Sequence, residues 1–449
     1  MKNIVKQYTH SVAWSSVEAI IFQTILLIHQ AAFFKVATIQ LYGFTGTIFG
    51  LIYFGVKLFD LGLSRALMTF YHNFSSSKRS CIQFFAQQLL PNLIFCCIMF
   101  IILWIAHVFF NSYLTFSVDS VLLALACGLA LTESIKLVLK RLLQLSYNFR
   151  SIALSEIAFI SSYQLALWSY YFYYGSFNAP VIIGFCFVMS LGEIIGLSML
   201  TYWWYKDLPD KEHDQPPITT TQIFKSRLLI YGHSISKQFF SGNILIPLFA
   251  YSYGLEAAAV LKLASYVTHS ITAIIEKIID PSSSVLFAHT KNASRKNRQK
   301  FFHLVSNASW HIMVCILIFT IINSTKLFSL SHATIAIAPC IILYFLIHYG
   351  ENFFITVEKF YIAHDRAEFL IISAILNCIV ALALFTYCVS PLLALTLFLI
   401  SRIIAFVILV YYLSYLWNIR PRIYIAPRYI IGSFSLSILF YMSLEFLTK

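Results

Sequence analysis

Apolar positions in this chain come in long unbroken runs separated by short polar stretches, without the two-residue alternation of a barrel strand. Each run is long enough for one helix across a hydrocarbon core of about 30 Å, which takes about 20 residues. The runs predict helices over 12–34, 42–70, 85–110, 118–145, 152–174 and 180–205. Six more follow over 226–250, 254–288, 301–324, 333–357, 368–388 and 391–417. A last run, 427–447, has no counterpart. The fold class expected is an all-α polytopic membrane protein, with two pseudo-symmetric six-helix bundles and one extra C-terminal helix.

The pseudo-symmetry rests on a repeat. The run that opens Tyr42-Gly43 returns 211 residues on as Tyr253-Gly254. At the same offset Ala179-Pro180 meets Ser390-Pro391, Phe187 meets Phe398, and Ser190 meets Ser401. Self-similarity at a fixed offset marks a duplicated fold. Between the halves lies the longest polar stretch, Lys206 to Gln222, whose Pro209, Pro216, Pro217 and mixed charges suit an exposed tether. The domains expected are a first six-helix half over 1–205, a cytoplasmic linker over 206–224, a second half over 225–417 and the extra helix in 418–449.

Composition agrees with this picture. Hydrophobic residues make up 59% and charged residues 11%, where a soluble domain has roughly 25% charged. The net charge of +13 sits in short clusters between apolar runs, so it reads as topology and excludes a nucleic-acid partner. Most of the nine cysteines lie inside apolar runs and read as small core hydrophobes, with no C-x-x-C pair for zinc. Lys2 and Lys6 precede a first run too long for a signal-peptide core, so a retained first helix is expected.

An N-terminus inside the cell places Lys78, Arg79, Arg150, Lys206, Lys291, Arg295, Arg366 and Arg420 in cytoplasmic segments, leaving Lys35, Lys326 and Lys449 outside. Six helices per half give both halves the same orientation, a parallel repeat whose substrate site is expected at the interface of the halves. The basic stretch 291–300 is suited to anionic membrane lipids.

Some chemistries are absent from the sequence. It holds no G-x-x-x-x-G-K-[ST] phosphate loop and no H-E-x-x-H, so neither ATP hydrolysis nor a metal centre is expected, and no cofactor. What stands out is ionisable residues within apolar runs, which mark a pathway, a pairing or a snorkelling side chain. Lys57 lies about 22 Å from the outer start of its helix and Lys262 about 12 Å, with Lys237 near mid-membrane. These three are expected to face a hydrated cavity shared by the halves. Lys57 with Asp60, and Lys277 with Asp280, are i, i+3 pairs that offer a purely local alternative. Glu133, Glu193, Glu351 and Arg402 are also deep by position, and a buried histidine is the reading for His233.

The segment Tyr42-Gly43, then Phe59-Asp60-Leu61-Gly62-Leu63-Ser64-Arg65-Ala66-Leu67, resembles the second helix of Wzx-type polysaccharide flippases. These belong to the multidrug/oligosaccharidyl-lipid/polysaccharide exporter superfamily. Asp280-Pro281 with Ser282 to Ser284 and Phe287 is similar to the equivalent helix of the second half. The resemblance implies a non-enzymatic flippase in the bacterial inner membrane. Its substrate would be an undecaprenyl-diphosphate-linked oligosaccharide for surface polysaccharide such as O-antigen, moved by alternating access and handed to a polysaccharide polymerase. Substrate contacts would fall to Lys57, Lys237, Lys262, Arg65 and Arg402. Two departures from the family are a first helix with Glu18 and His29 but no central cation, and the thirteenth helix. A cation-coupled drug or metabolite antiporter is the alternative, with Glu18 and Glu133 as ion-coupling residues. A membrane polymerase or ligase comes third, because the outer segments are short.

Overall fold

The computed structural model describes residues 2–63, 67, 77–110, 119–146, 148–210, 242–266 and 390–417, with single positions elsewhere in the second half. Every regular element among them is an α-helix. These are α1 (Lys2–Val36), α2 (Ile39–Asp60), α3 (Lys78–Phe110), α4 (Ser120–Leu145), α5 (Phe149–Tyr174), α6 (Ala179–Lys206), α7 (Gly242–Tyr253) and α8 (Pro391–Trp417). A further helical stretch occupies 255–266. Five helical segments among the described residues are long and apolar enough to cross a membrane: Ala13–Val36, Ile39–Asp60, Ser120–Gln144, Ala179–Lys206 and Leu392–Tyr415. The chain is a multi-pass, all-helical membrane protein.

Two compact units divide the chain. Unit 1 comprises Met1–Ile25 and Ala37–Tyr251, and unit 2 comprises Leu26–Val36 and Ser252–Lys449.

Local chemistry sets the helix ends in unit 1. Thr38 is extended, and its hydroxyl accepts the Leu41 N–H at 3.2 Å, starting α2. Asn178 does the same for α6, accepting from the Val181 N–H at 2.9 Å with Pro180 in the first turn. The Ser77 hydroxyl accepts the Ser80 N–H at 3.1 Å and opens α3. That cap starts α3 seven residues before the apolar run at Phe85 from which the sequence reading began it. Gly175, at φ 73°, closes α5 and returns its N–H to the Tyr171 carbonyl at 2.7 Å.

The end of α2 departs from expectation. The run from Tyr42 to Phe70 reads as one helix, yet α2 stops at Asp60, followed by left-handed Leu61 (φ 44°) and Gly62 (φ 74°). A helix that ends inside a membrane protein leaves its last carbonyls without partners. Asn92, buried on α3, supplies them: its amide donates to the Phe59 carbonyl at 2.9 Å and the Asp60 carbonyl at 3.0 Å.

Packing in unit 1 centres on α4 against α6, with α2 also against α4 and α5 against α6. Small residues permit close approach. A Cβ on Gly50 of α2 would stand 2.8 Å from the Asn243 carbonyl oxygen of α7, and one on Gly128 of α4 would stand 3.0 Å from the Phe187 ring. The start of the polar connector is tied down. The Lys78 N–H donates to the Pro209 carbonyl at 2.9 Å, the Lys78 ammonium meets Asp210 at 2.8 Å, and Leu208 packs on the Leu63, Cys81 and Phe84 cluster. The remainder of the linker, from Lys211, lies outside the described residues.

In unit 2, the Tyr361 hydroxyl donates to the Leu409 carbonyl of α8 at 2.9 Å, and Phe302 meets Phe360 edge to face at 5.5 Å.

Candidate functional site

Ionisable side chains inside the two units fall into different patterns. In unit 1 they form a chain of alternating sign. Glu133, Lys136 and Lys140 occur at i, i+3 and i+7 on one face of α4, Glu156 stands on α5, and Glu193 on α6. The Lys136 ammonium lies 2.6 Å from a Glu133 oxygen and 2.6 Å from a Glu193 oxygen. Lys140 lies 2.7 Å from Glu156 and 2.8 Å from the other Glu193 oxygen. Ser190 donates to Glu133 at 2.9 Å and Ser155 to Glu193 at 3.2 Å. The ring of Phe159 sits 3.9 Å from the Lys136 ammonium, a cation–π contact. Both Lys136 and Glu193 have only 2% of the side chain exposed.

Such a cluster is tolerable in a low-dielectric interior because every charge faces an opposite one, with Ser190 and Ser155 adding hydrogen bonds to two of the carboxylates. Three carboxylates against two ammonium groups ties α4, α5 and α6 in register. It leaves Glu133, named as an ion-coupling candidate, engaged by an ammonium and a hydroxyl.

In unit 2 the buried residues among the described ones that carry or can gain a charge near neutral pH are all basic: Lys262, Arg402 and His29. Lys262, 2% exposed, stands in the 255–266 stretch with its ammonium 5.5 Å from the Phe33 ring centroid. Phe33 in turn stacks on His29, with centroids 5.7 Å apart. One turn beyond Lys262, Ser265 receives the Tyr344 hydroxyl at 3.3 Å. This small constellation joins a cation, two aromatic rings, an imidazole and a hydroxyl pair, chemistry suited to an anion that carries both oxygen atoms and an apolar body.

The predicted site residues fall in unit 1, in unit 2 and outside the described residues. Lys57 is half-buried in the last turn of α2 in unit 1, and Glu18 is buried on α1 in the same unit. Lys262 and Arg402 are buried in unit 2. Lys237, Arg65, His233, Glu351, Lys277 and Asp280 lie outside the described residues. Sequence reasoning found Glu133 and Glu193 but missed Lys136, Lys140 and Glu156. The signal was available, because Glu-x-x-Lys-x-x-x-Lys within an apolar run places three charges on one helical face. Among the described residues, no three His, Cys, Asp or Glu side chains gather as metal ligands.

No protein-family model and no curated protein matches the chain. Solved structures do, over nearly its whole length. The lipid II flippase MurJ, in an inward closed conformation, superposes with a TM-score of 0.61 at 14% identity, covering 100% of this chain and 93% of MurJ. The Vibrio cholerae MATE transporter VcmN gives 0.60 at 11% identity, covering 93% and 98%. An outward-facing multidrug resistance MATE family transporter of the MOP superfamily gives 0.59 at 13%, covering 97% and 96%. The chain has the fold of the MOP-superfamily transporters. Its structural neighbours are transporters and not enzymes. The MOP fold is shared by lipid flippases and drug transporters alike, so the substrate must be argued from this chain's own side chains.

Proposed function

We propose that this protein is an alternating-access flippase that carries an undecaprenyl-diphosphate-linked oligosaccharide across the bacterial inner membrane for surface polysaccharide synthesis. One observation carries the reading: among the described residues of unit 2, the buried side chains that carry charge near neutral pH are all basic. A diphosphate is multiply charged and cannot enter a hydrocarbon core bare, so fixed cations must replace its water. In this reading Lys262 and Arg402 do that, and Lys57, Lys237 and Arg65 are further substrate contacts. The ring of Phe33 beside Lys262 offers an apolar surface next to the charge. The N-terminus is proposed to be cytoplasmic, and the product is proposed to pass to a polysaccharide polymerase.

The MOP fold also serves drug antiporters, and Glu18, a buried carboxylate on α1, is the residue that favours that second reading. Glu133 supports it less, since its charge is met by Lys136. A strain lacking the protein should accumulate lipid-linked sugar intermediates. Lys262→Ala should reproduce the defect at normal membrane expression, lowering flux about ten- to hundredfold, the equivalent of a charge-assisted hydrogen bond of about 1.5–3 kcal/mol. Lys262→Arg should retain part of it, because charge persists while geometry changes. Normal glycan display in the alanine variant, with altered drug resistance in the Glu18→Gln variant, would replace the flippase reading with the antiporter.

A further inference from the structure

Unit 1 holds a cavity of about 340 Å³ among α2, α3, α4 and α6, within the range of about 300–1,000 Å³ typical of ligand sites. Its wall follows α4 from Leu131 to Leu142 and α3 from Cys81 to Asn92, a length of about 16 Å at 1.5 Å per residue. Most of the lining is apolar, with Phe59, Leu63, Phe85, Ile135, Val138 and Leu139 along it, so this elongated bore suits an extended apolar guest.

Asn92, Ser134 and Thr201 in the wall are already committed. The Asn92 amide donates to the Phe59 and Asp60 carbonyls, the Ser134 hydroxyl to the Ala130 carbonyl at 2.8 Å, and the Thr201 hydroxyl to the Leu197 carbonyl at 2.8 Å. A polar guest would exchange its hydration for few donors. The Asp60 carboxylate in the wall disfavours an anion within. Outside the cavity the medium is bilayer, since α2, α4 and α6 are all of membrane-spanning length and composition.

The cavity meets that medium beside Tyr202, which is 62% exposed. Tyr202, Trp203, Trp204 and Tyr205 end α6 as an aromatic belt of the kind found at headgroup level. Arg79, exposed in the first turn of α3, and Lys206, the last residue of α6, occupy the same end of the bundle and attract phosphate.

We propose that this cavity binds one linear acyl chain of a membrane phospholipid, whose headgroup stays at the interface near Arg79 and Lys206. The site is separate from Lys262 and Arg402 and does not depend on which substrate the protein carries. The lipid would fill the bore that follows the break in α2.

The test uses the whole protein in nanodiscs containing a phosphatidylethanolamine with a diazirine near its acyl terminus. After irradiation, mass spectrometry should find label concentrated on residues 131–142 and 81–92, several-fold above Leu165, an exposed position on α5. Val138→Trp should fill the bore and remove that excess, and unlabelled phosphatidylethanolamine should compete it away. Label no denser in the wall than at Leu165 would overturn the proposal. So would displacement by a polyprenyl phosphate and not by phospholipid, which would assign the bore to a carrier tail. Should Val138→Trp fail to fold, the wild-type map together with Leu139→Phe gives the same two outcomes.

Discussion

Lys136 has two carboxylates at 2.6 Å and an aromatic ring at 3.9 Å, in a place where water does not reach. Removing it leaves part-buried Glu133 with only a hydroxyl and buried Glu193 with one ammonium in place of two, so Lys136→Ala should cost about 3 kcal/mol of stability. Combining Lys136→Met with Glu133→Gln and Glu193→Gln should recover much of the loss, because the uncompensated charges disappear together. Thermal unfolding in detergent of the single and triple variants measures both. Glu133 and Glu193 were legible in the sequence as charges deep in apolar runs, and Lys136 and Lys140 could have been read from their spacing to Glu133. The pairing across helices was not legible, because Glu156 and Glu193 lie 23 and 60 residues from Glu133, and no spacing rule connects three helices. Lys262 was legible for the same reason as the acids: a cation in an oily run stands out by its position alone.

Among the elements, α6 was read almost to the residue, since an Asn178-Ala179-Pro180 start and an aromatic-basic end bracket one apolar run. The interruption of α2 was not. Gly62 is a stop signal by itself, but it stands inside an apolar run that continues to Phe70, and the residue that turns first, Leu61, is a non-glycine in the left-handed region. The deciding partner, Asn92, stands on another helix. Asn92→Ala should therefore leave two buried carbonyls without donors and destabilise by about 1–3 kcal/mol. Gly50→Ala should act at a comparable scale, about 1–3 kcal/mol, because its Cβ meets backbone on α7 that cannot rotate away. Unfolding midpoints for both variants, beside Leu165→Ala as a lipid-facing control, test the pair.

For the molecule as a whole, the thirteen-run pattern reported membrane class and all-helical fold, because bilayer chemistry leaves few alternatives. It could not report substrate, since the MOP fold hosts several. The path of the connector is a property of this larger scale. Lys78 has its pKa raised above the ordinary 10.5 by its hydrogen bond to Asp210, which outweighs an opposing desolvation, with neighbouring negative charge adding to the rise. A lysine raised in the folded state contributes fully below 10.5 and loses that contribution as pH climbs through the raised value. Spin labels at Gln83 and Leu208 should hold a narrow distance distribution at neutral pH and broaden only above 10.5. Lys78→Ala should broaden it already at neutral pH, as should high salt in part, since the pair is exposed.

The charge chain of unit 1 also has a consequence for biogenesis. Helix α5, with Arg150, Glu156 and its many tyrosines, is not among the segments apolar enough to cross a membrane by composition. Offered singly to the translocon it should linger at the interface, since a charged residue at the centre of a helix costs about 2.5–3.5 kcal/mol to insert. With α4 already in place, Lys140 waits for Glu156, and with α6 arriving, Glu193 closes the chain. Insertion of this helix is thus a bimolecular event made intramolecular by its neighbours. In a glycosylation-mapping reporter, α5 alone should insert poorly and the segment from α4 through α6 efficiently. Lys140→Leu should push the longer segment back toward the behaviour of α5 alone.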